Sequence, residues 1–338
     1  MKPNPIHKAL DQAKDNAISV EETLEDLKWI IFSDHHRGRK DRADDFVPCE
    51  ATYLNALKYY LDKGFTLVLL GDVEEFWENP LPMVMKRYKK VLEYEKRFYD
   101  NSRLYKIWGN HDDAWRYKGY LQKHLSLIFP EINVHESITL NITVEGKLKG
   151  KFLLIHGHQG TLESDKYAFI SKFFVRYIWR NIQRLFRIPL STPAKDASLK
   201  SIHDKTMYSW SEKHEETILI CGHTHQPVFM SLTHADRIKN KIRLLKESLR
   251  EFPNNAAVKN EIELAEQKLR QISEKCTEIQ SGESELKPYY FNSGCCSFGD
   301  GDITGIQLAD NQISLVKWNE NADQPIVLEK ESIQNLFR

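Results

Sequence analysis

The sequence predicts an α/β fold in which buried strands alternate with helices, and three observations support this prediction. Short apolar runs rich in Ile, Leu, Val and aromatic residues recur along the chain, as expected for strands that are buried on both faces. Stretches with helical periodicity lie between several of these runs. Each run ends abruptly in polar residues that can bind metal ions.

Five runs show this change from apolar to polar residues. In chain order, the runs and the polar residues that follow them are Trp29–Phe32 with Ser33-Asp34-His35-His36, Phe65–Leu70 with Gly71-Asp72, Leu104–Trp108 with Gly109-Asn110-His111-Asp112, Phe152–Ile155 with His156-Gly157-His158, and Ile218–Cys221 with Gly222-His223-Thr224-His225. Ligands of α/β sheets bind beyond the carboxyl ends of strands, so these five clusters are expected to converge on one site. One His after a strand is a weak signal, whereas five clusters in series are a strong one.

Helices and a second sheet are predicted from the same periodicities. Helical spacing of apolar residues predicts helices over Glu50–Lys63 and Met83–Tyr99. Alternating apolar residues predict a strand over Ile138–Val144, and we expect it to share a second sheet with C-terminal strands at Gly305–Leu308 and Ile313–Trp318. The chain is therefore predicted to be a single domain, residues 1–338, with strands sandwiched between helices.

Composition excludes several classes of protein. The formal net charge of zero gives no global basic field that would favour nucleic acid or an anionic membrane. No stretch is apolar enough to cross a membrane, and the polar N-terminus lacks the apolar block of a signal peptide. The five cysteines are scattered and form no CxxC pattern, which argues against a disulfide scaffold and a thiolate zinc site. A cytoplasmic protein is the prediction.

The polar clusters suit a pair of metal ions. Carboxylate and amide oxygens mixed with imidazoles, without thiolates, favour Mn²⁺, Fe or Zn²⁺. Seven ligands are too many for one ordinary transition metal but fit two ions that share a carboxylate. Such a pair can hold the attacking and leaving oxygens of a displacement at phosphorus and supply a metal-activated hydroxide. The candidate ligands are Asp34, His36, Asp72, Asn110, His156, His223 and His225.

These clusters, taken in order, resemble the complete signature of the calcineurin-like metallophosphoesterases over roughly residues 28–318. The resemblance implies a four-layer α/β/β/α sandwich with helical insertions and a bimetal centre, with Mn the first expectation and Fe or Zn as alternatives. It implies that one metal is held by Asp34, His36 and His225, and the other by Asn110, His156 and His223, with Asp72 bridging. It also implies that His111 contacts the phosphate or protonates the leaving oxygen, and that Asp112 orients His111.

A basic stretch from Lys166 to Arg187 has six Lys or Arg residues and no acidic residue. On a helical wheel its cations, including Arg176 and Arg180, fall on one face and its apolar residues on the other. The simpler interpretation is a surface helix packed on the core. The functional hypothesis is a helical cap, about residues 160–215, that offers cations to phosphate and an apolar face to lipid at the inner membrane surface.

Substrate choice is also indicated by the segment Gly71–Asn79, which resembles the corresponding segment of UDP-2,3-diacylglucosamine pyrophosphatases. That branch of the family acts on a nucleotide-lipid pyrophosphate at the membrane surface. Trp77 has a simpler interpretation as a core residue. The candidate substrate-binding residues are Arg37, Trp77, Asn79, His158, Arg176 and Arg180.

A charged stretch at about 236–280 predicts a helical hairpin, interrupted at Pro253, with no evident chemistry. A partner-binding arm and a solvated protrusion both fit it, and the protrusion is the simpler interpretation.

The leading functional prediction is hydrolysis of a phosphodiester or pyrophosphate bond in a phosphorylated small molecule or a lipid-linked substrate. A phosphomonoesterase or Ser/Thr protein phosphatase is the main alternative, because relatives share ligands and differ in loops. A nuclease is less favoured, since the chain is neutral overall and its basic stretch lacks an interleaved aromatic platform. A non-catalytic scaffold is disfavoured because every ligand and His111 are present.

Overall fold

The computed structural model describes residues 4–160, 197–214, 216–230, 232–233, 256–273 and 289–337, together with positions 238, 242, 245, 246 and 249. The described chain is built around two seven-stranded sheets. The first sheet has the strand order β14-β13-β12-β2-β3-β4-β5, and the second has the order β1-β6-β7-β8-β11-β9-β10. The two sheets pack face to face.

The strands have the following bounds. Those of the first sheet are β2 (Lys28–Phe32), β3 (Thr66–Leu70), β4 (Leu104–Ile107), β5 (Val134–His135), β12 (Ile303–Ala309), β13 (Gln312–Trp318) and β14 (Ile326–Ser332). Those of the second sheet are β1 (Ile18–Thr23), β6 (Ser137–Val144), β7 (Lys147–Ile155), β8 (Thr217–Cys221), β9 (Val228–Phe229), β10 (Leu232–Thr233) and β11 (Tyr290–Asn292).

The helices lie mostly outside the sheets. They are α1 (Pro5–Asp15), α2 (Glu50–Asp62), α3 (Leu81–Arg87), α4 (Lys89–Asp100), α5 (Lys118–His124), α6 (Ala197–Ser211), α7 (Ala256–Ser273) and α8 (Ile333–Leu336), and short 3-10 turns occur at Val47–Cys49 and Asp113–Arg116. In β2, the buried Ile31 faces the core between the sheets, whereas its neighbour Ile30 faces the helices on the outer side. This alternation lets each central strand join two apolar layers.

Three apolar cores separate four layers and confirm the predicted α/β/β/α sandwich. The central core lies between the sheets and contains Val68 from β3 and Leu154 from β7. Helices α2 and α4 cover the outer face of the first sheet through residues such as Tyr53 and Phe98. Helices α1 and α6 cover the second sheet through residues such as Leu10, Met207 and Trp210.

One sheet assignment from the sequence is wrong. The C-terminal strands β12 and β13 were expected to share a sheet with Ile138–Val144, but β12 pairs antiparallel with β2, with Ile306 opposite Ile31. The strand at Ser137–Val144 instead pairs with β7 and β1 in the other sheet. Alternation of apolar residues predicts a strand but does not identify its partner, which the packing of the two sheets decides.

A second difference concerns the predicted helix Met83–Tyr99. Two helices, α3 and α4, occupy this region and meet at Tyr88, whose backbone is not helical (φ −105°, ψ 29°). The buried Tyr88 ring packs on Phe46, and its hydroxyl donates a hydrogen bond to Asp44 Oδ2 over 2.7 Å. These tertiary contacts explain a break that the helical periodicity did not predict.

The predicted insertions are only partly within the described residues. Helix α6 falls in the predicted cap of residues 160–215, and α7 falls in the predicted hairpin of residues 236–280. The basic stretch from 166 to 187 lies outside the described residues. Among the helices that the structure does describe, none is both long and apolar enough to cross a membrane.

Candidate metal centre

The seven predicted ligands meet at one edge of the sandwich. Parallel strands β2, β3 and β4 of the first sheet end just before Asp34, Asp72 and Asn110, respectively. Parallel strands β7 and β8 of the second sheet end just before His156 and His223. The carboxyl ends of both sheets therefore supply the site, which explains why each apolar run in the sequence is followed by a polar cluster.

Five of these ligands have left-handed backbone conformations. Their φ angles are 55° for Asp34, 50° for His36, 51° for Asp72, 71° for His223 and 58° for His225. Side-chain-bearing residues adopt this region at a cost of order 1 kcal/mol each, although Asp and His tolerate it better than most. The strand-to-loop turns thus place these side chains at the site against the local backbone preference.

One group of ligands consists of Asp34, His36 and His225, whose potential ligand atoms all lie within 4.8 Å of one another. His225 Nε2 lies 3.2 Å from Asp34 Oδ1 and 3.0 Å from His36 Nε2. The other carboxylate oxygen of Asp34 accepts a hydrogen bond from the His223 backbone N–H over 2.9 Å. This bond leaves Oδ1 facing the two imidazoles.

A second group consists of Asp72, His156 and His223, and its ligand atoms also lie within 4.8 Å of one another. His156 Nδ1 donates to the Leu70 carbonyl over 2.9 Å, so Nε2 is the ring nitrogen that faces the site, 3.1 Å from Asp72 Oδ2. Asp72 Oδ2 also lies 3.9 Å from His36 Nε2 in the first group. Asp72 therefore stands between the two groups, where a bridging carboxylate would stand.

Two independent observations indicate that these side chains are suited to bind metal ions. The amide oxygen and nitrogen of Asn110 are buried, and neither has a hydrogen-bond partner among the described residues. Such atoms are rarely left unpaired in proteins unless a ligand completes them. Burial lowers the pKa of His156, but Asp72 and Asp34 raise it to about 9, which shows that the buried carboxylates favour positive charge at this place.

His111 lies beside the shared carboxylate, and Glu75 holds it there. The Glu75 Oε2 atom lies 2.6 Å from His111 Nδ1 and 3.1 Å from His36 Nδ1. Burial raises the pKa of Glu75, but the two histidines lower it to about 2, so Glu75 is an anion that faces the Nδ1 atoms of both rings and accepts a hydrogen bond from His36. With Nδ1 directed at Glu75, the Nε2 atoms of His36 and His111 are the ring nitrogens that face the site.

The structure assigns Asp112 a different position from the one expected. Its carboxylate accepts hydrogen bonds from the backbone N–H groups of Gly109 over 2.6 Å and Val73 over 2.9 Å. Burial and the nearby Glu74 raise the pKa of Asp112 to about 7. The side-chain contact with His111 that was expected of Asp112 is made by Glu75, and Asp112 instead joins the loops after β3 and β4.

Arg37 was predicted to bind substrate, and its surroundings do not support this. Its side chain is 1% exposed and forms a charge-assisted hydrogen bond with Glu95, while Glu74 lies 3.9 Å away. Lys106 donates to Glu74 over 2.9 Å, so two cations and two carboxylates form one buried network. A cation so placed is matched within the protein and is not offered to a phosphate.

The other predicted substrate contacts are largely buried. Trp77 stacks on His111, and Asn79 donates through its amide to the Glu75 carbonyl over 3.1 Å. The His158 ring is 4% exposed and lies 5.1 Å from the ring of Trp108. Arg176 and Arg180 lie outside the described residues.

Sequence reasoning missed two residues that support the site. Glu75 follows Asp72 by three residues, but no pattern in the sequence distinguishes it from Glu74 or Glu78. The other is Asn292, the last residue of the short strand β11. Its amide donates to the Gly222 carbonyl over 2.6 Å, and its carbonyl oxygen accepts from the Gly294 N–H over 3.0 Å, which fixes the loop that holds His223 and His225.

Comparisons with known proteins agree with this geometry. A model of the calcineurin-like phosphoesterase family matches residues 27–227, which is more than half of the chain and includes all seven candidate ligands. No curated protein sequence matches the chain significantly.

Solved structures with similar folds include three phosphatase or sorting proteins. A dimetal phosphatase from Danio rerio is 9% identical with a TM-score of 0.38, covering 90% of this chain and 99% of its own. Vacuolar protein sorting 29 from Cryptosporidium parvum is 14% identical with a TM-score of 0.33, covering 90% and 98%. A cold-active protein tyrosine phosphatase is 10% identical with a TM-score of 0.36, covering 94% and 82%. The family match and the ligand geometry, rather than these distant similarities, support the assignment that follows.

Proposed function

Because the chain belongs to the calcineurin-like phosphoesterase family, we propose that it hydrolyses a phosphodiester or pyrophosphate bond at the site formed by the ends of β2, β3, β4, β7 and β8. At the coarser level the chain is a metal-dependent phosphoric ester hydrolase. The proposed ligands of one ion are Asp34, His36 and His225. Those of the other are Asn110, His156 and His223, with Asp72 shared.

The metal ions supply the electrophilic part of the chemistry when bound: they lower the pKa of a water molecule and neutralise charge on the phosphate. We propose Mn²⁺ as the working metal, with Fe and Zn²⁺ as alternatives that the same oxygen and imidazole donors accept. The protein contributes buried donors, since Asp34, Asp72 and His156 are at most 2% exposed. Burial strengthens every electrostatic contact made there.

One observation supports hydrolysis of an ester with a poor leaving group, namely the contact between His111 and Glu75. The Glu75 carboxylate lies 2.6 Å from His111 Nδ1, so His111 Nε2 is the atom that can pass a proton to the leaving oxygen as its bond to phosphorus breaks. His111 also belongs with His36 and Asp72 in a third group of closely spaced ligand atoms. The proton donor is thus adjacent to the shared carboxylate.

For the substrate class we propose a nucleotide-linked lipid pyrophosphate. Support comes from the resemblance of Gly71–Asn79 to the UDP-2,3-diacylglucosamine pyrophosphatase segment and from the basic, amphipathic stretch at 166–187. Contact of that stretch with the inner membrane surface, from a cytoplasmic protein, belongs to the same proposal.

The described part of the proposed cap over residues 160–215 contacts the site through His203. His203 on α6 donates through Nε2 to the Gly157 carbonyl over 2.8 Å, and its ring lies 5.3 Å from that of His223. The helix at the end of the proposed cap therefore touches the loop that follows β7. The hairpin over 236–280 stays a proposal, and a contact of 2.7 Å between Lys246 and Glu266 supports two adjacent arms.

The first experiment compares p-nitrophenyl diester and monoester substrates with Mn²⁺-loaded protein. Wild type is expected to prefer the diester. On the corresponding phenyl ester, assayed alongside because phenol is a poorer leaving group, His111→Ala is expected to lose about 10²- to 10⁴-fold in kcat. His214→Ala is the matched control, because His214 stacks on Trp210 and contacts Asp11 away from the candidate ligands. A diester preference then justifies assays with UDP-2,3-diacylglucosamine.

Other outcomes have equally definite meanings. A preference for the monoester would replace the proposal with a phosphomonoesterase or a protein phosphatase. Cleavage of nucleic acid in preference to small diesters would identify a nuclease. Stoichiometric metal binding without hydrolysis of any ester would point to a binding scaffold and overturn the proposal as a whole.

A further inference from the structure

Trp77 contacts the proposed proton donor directly. The indole ring stacks on the His111 imidazole with 4.2 Å between ring centroids and 17° between planes. Trp77 is 9% exposed, so little of its surface is available to a substrate. The His111 side chain is 22% exposed and keeps some access to the site. The stacked arrangement places Trp77 behind the donor rather than in the substrate's path.

The two N–H groups of Trp77 donate hydrogen bonds to two residues of the candidate site, Glu75 and Asn110. The backbone N–H donates to Glu75 Oε1 over 3.0 Å, which leaves Oε2 of the same carboxylate for His111 and His36. The indole Nε1–H donates to the Asn110 carbonyl over 2.7 Å. One residue therefore contacts the donor, the carboxylate that binds the donor, and the backbone of a candidate metal ligand.

We infer that Trp77 is a positioning residue for His111. Glu75 contacts one atom of the imidazole, Nδ1, and a contact at one atom does not by itself set the plane of the ring. The stacked indole restrains the plane of the ring as well, because offset stacking is one of the arrangements that aromatic pairs prefer and a tilted imidazole would lose it. The contact with Glu75 and the stacking on Trp77 together set the direction in which His111 Nε2 points. This inference rests on the proposed role of His111 as proton donor.

The kinetic test uses a series of aryl phosphodiesters whose leaving groups range from dinitrophenol to phenol. Protonation of the leaving oxygen matters most for the poorest leaving group, so a misplaced donor steepens the dependence of kcat on leaving-group pKa. Trp77→Leu is expected to lose about 10²-fold in kcat on the phenyl ester, as a misplacement near 1 Å would cause, and far less on the dinitrophenyl ester. Trp77→Phe, which keeps a ring, is expected to stay much closer to wild type.

The matched control is Trp210→Leu, because Trp210 also stacks on a histidine, with 4.1 Å between its centroid and that of His214, but lies in the α1–α6 layer. It should leave the leaving-group dependence unchanged. If Trp77→Leu does not fold, Trp77→Met gives the same comparison with a flexible side chain.

A second measurement needs no turnover and no metal. In the NMR spectrum of metal-free protein, the His111 ring protons, assigned by their loss in His111→Ala, should lie upfield because of the indole ring current. They should move downfield in Trp77→Leu and not in Trp210→Leu.

The outcomes separate the inference from the proposed function. A steeper dependence in both Trp77→Leu and His111→Ala supports the inference. Steepening in His111→Ala with a parallel loss for all leaving groups in Trp77→Leu overturns the inference and keeps the proposed function. No steepening in His111→Ala removes the donor role itself, and the inference falls with it.

Discussion

Asp112 is the carboxylate next to the proposed donor His111 in the sequence, whereas Glu75 is the carboxylate that lies beside the His111 ring in the structure. Asp112 immediately follows His111, which made it the natural candidate for orienting that ring. Its side chain instead accepts from the backbone of Gly109 and Val73, whereas Glu75, on another loop, contacts the imidazole. Adjacent residues in a tight loop often point apart, so proximity in the sequence is a poor guide to contact.

The first prediction compares Glu75→Gln with Asp112→Asn. Glu75→Gln is expected to lower activity or metal affinity by about 10- to 100-fold, because partners that orient histidine ligands typically have effects of this size. Asp112→Asn is expected to lower the free energy of unfolding by about 2 kcal/mol, since an amide has one acceptor oxygen and can no longer accept from both buried N–H groups. Steady-state kinetics, metal titration and denaturant unfolding of both variants check this.

The reverse result would restore the assignment made from the sequence. That result is a large kinetic effect of Asp112→Asn at unchanged stability, with little effect of Glu75→Gln. Glu78→Gln on the same loop is a useful reference, because it removes one charge at a residue that is not among the candidate ligands.

The candidate metal ligands were predictable because their residue types and positions after strands carry the information. Asp, Asn and His in five successive strand-end clusters had no simpler joint explanation. The supporting residues were not predictable in this way. Whether Arg37 faces a substrate or an internal carboxylate such as Glu95, which is 58 positions away in the sequence, depends on tertiary packing alone.

At the scale of elements, the ligand loops are interleaved by backbone contacts. The Asp34 N–H donates to the Gly71 carbonyl over 3.0 Å, and the Gly222 N–H donates to the His156 carbonyl over 3.0 Å. Gly222 allows the loop after β8 to approach β2 closely, because a Cβ added there would lie 2.5 Å from both Asp34 Oδ2 and Ser33 Oγ. The close approach of these two loops therefore requires glycine at position 222.

The second prediction follows from that spacing. Gly222→Ala should displace Asp34 and weaken metal binding in the group formed by Asp34, His36 and His225, with activity reduced at least about 10²-fold because reacting groups move by about 1 Å. Gly119→Ala is the matched control, since nothing lies within 4 Å of a Cβ at that position. Metal stoichiometry by elemental analysis and kcat/KM check the pair.

Equal retention of two metals and of activity in both alanine variants would contradict the prediction. It would mean that the loops after β2 and β8 can separate without loss of the site. A loss confined to the stability of Gly222→Ala, with metal content preserved, would contradict it equally.

Strand positions were predicted well because buried runs and their polar ends are local features. The partners of the strands were predicted less well: β12 joins β2 through residues more than 270 positions apart in the sequence, and β14, with only partly buried residues, was not predicted. Its pattern follows neither of the periodicities on which prediction depends. Edge strands of this kind are decided by pairing with a neighbour, here β13.

For the whole molecule, the site lies across the junction of the two sheets. Asp34, His36, Asp72 and Asn110 follow strands of the first sheet, whereas His156 follows a strand of the second, as do His223 and His225. In each of the two ligand groups, donors from both sheets lie within 4.8 Å of one another. Ions held there would connect the sheets in addition to the apolar core between them.

The third prediction is that metal removal lowers the stability of the whole fold. At a free metal concentration about 100 times the Kd, binding should add about 2.7 kcal/mol to the free energy of unfolding, and a chelator should remove it. Calorimetry with and without chelator measures the change in Tm. A variant with both His156→Ala and His225→Ala should melt at the same temperature under both conditions.

A chelator that strips the metals completely without moving the Tm of wild type would refute the prediction. Stripping must be confirmed by elemental analysis of the same sample. The two sheets would then be held by their apolar contacts alone.

The left-handed backbone at five ligands has a consequence for directed evolution. Glycine reaches those φ angles with less cost than Asp or His, so replacing one of these candidate ligands by glycine relieves backbone strain while it removes a donor from the candidate metal centre. At positions 34, 36, 72, 223 and 225, selection for thermal stability would then favour glycine, whereas selection for turnover would favour the present Asp or His. A library that is screened only for thermal stability in the absence of metal should therefore become enriched in stable variants that no longer hydrolyse an ester.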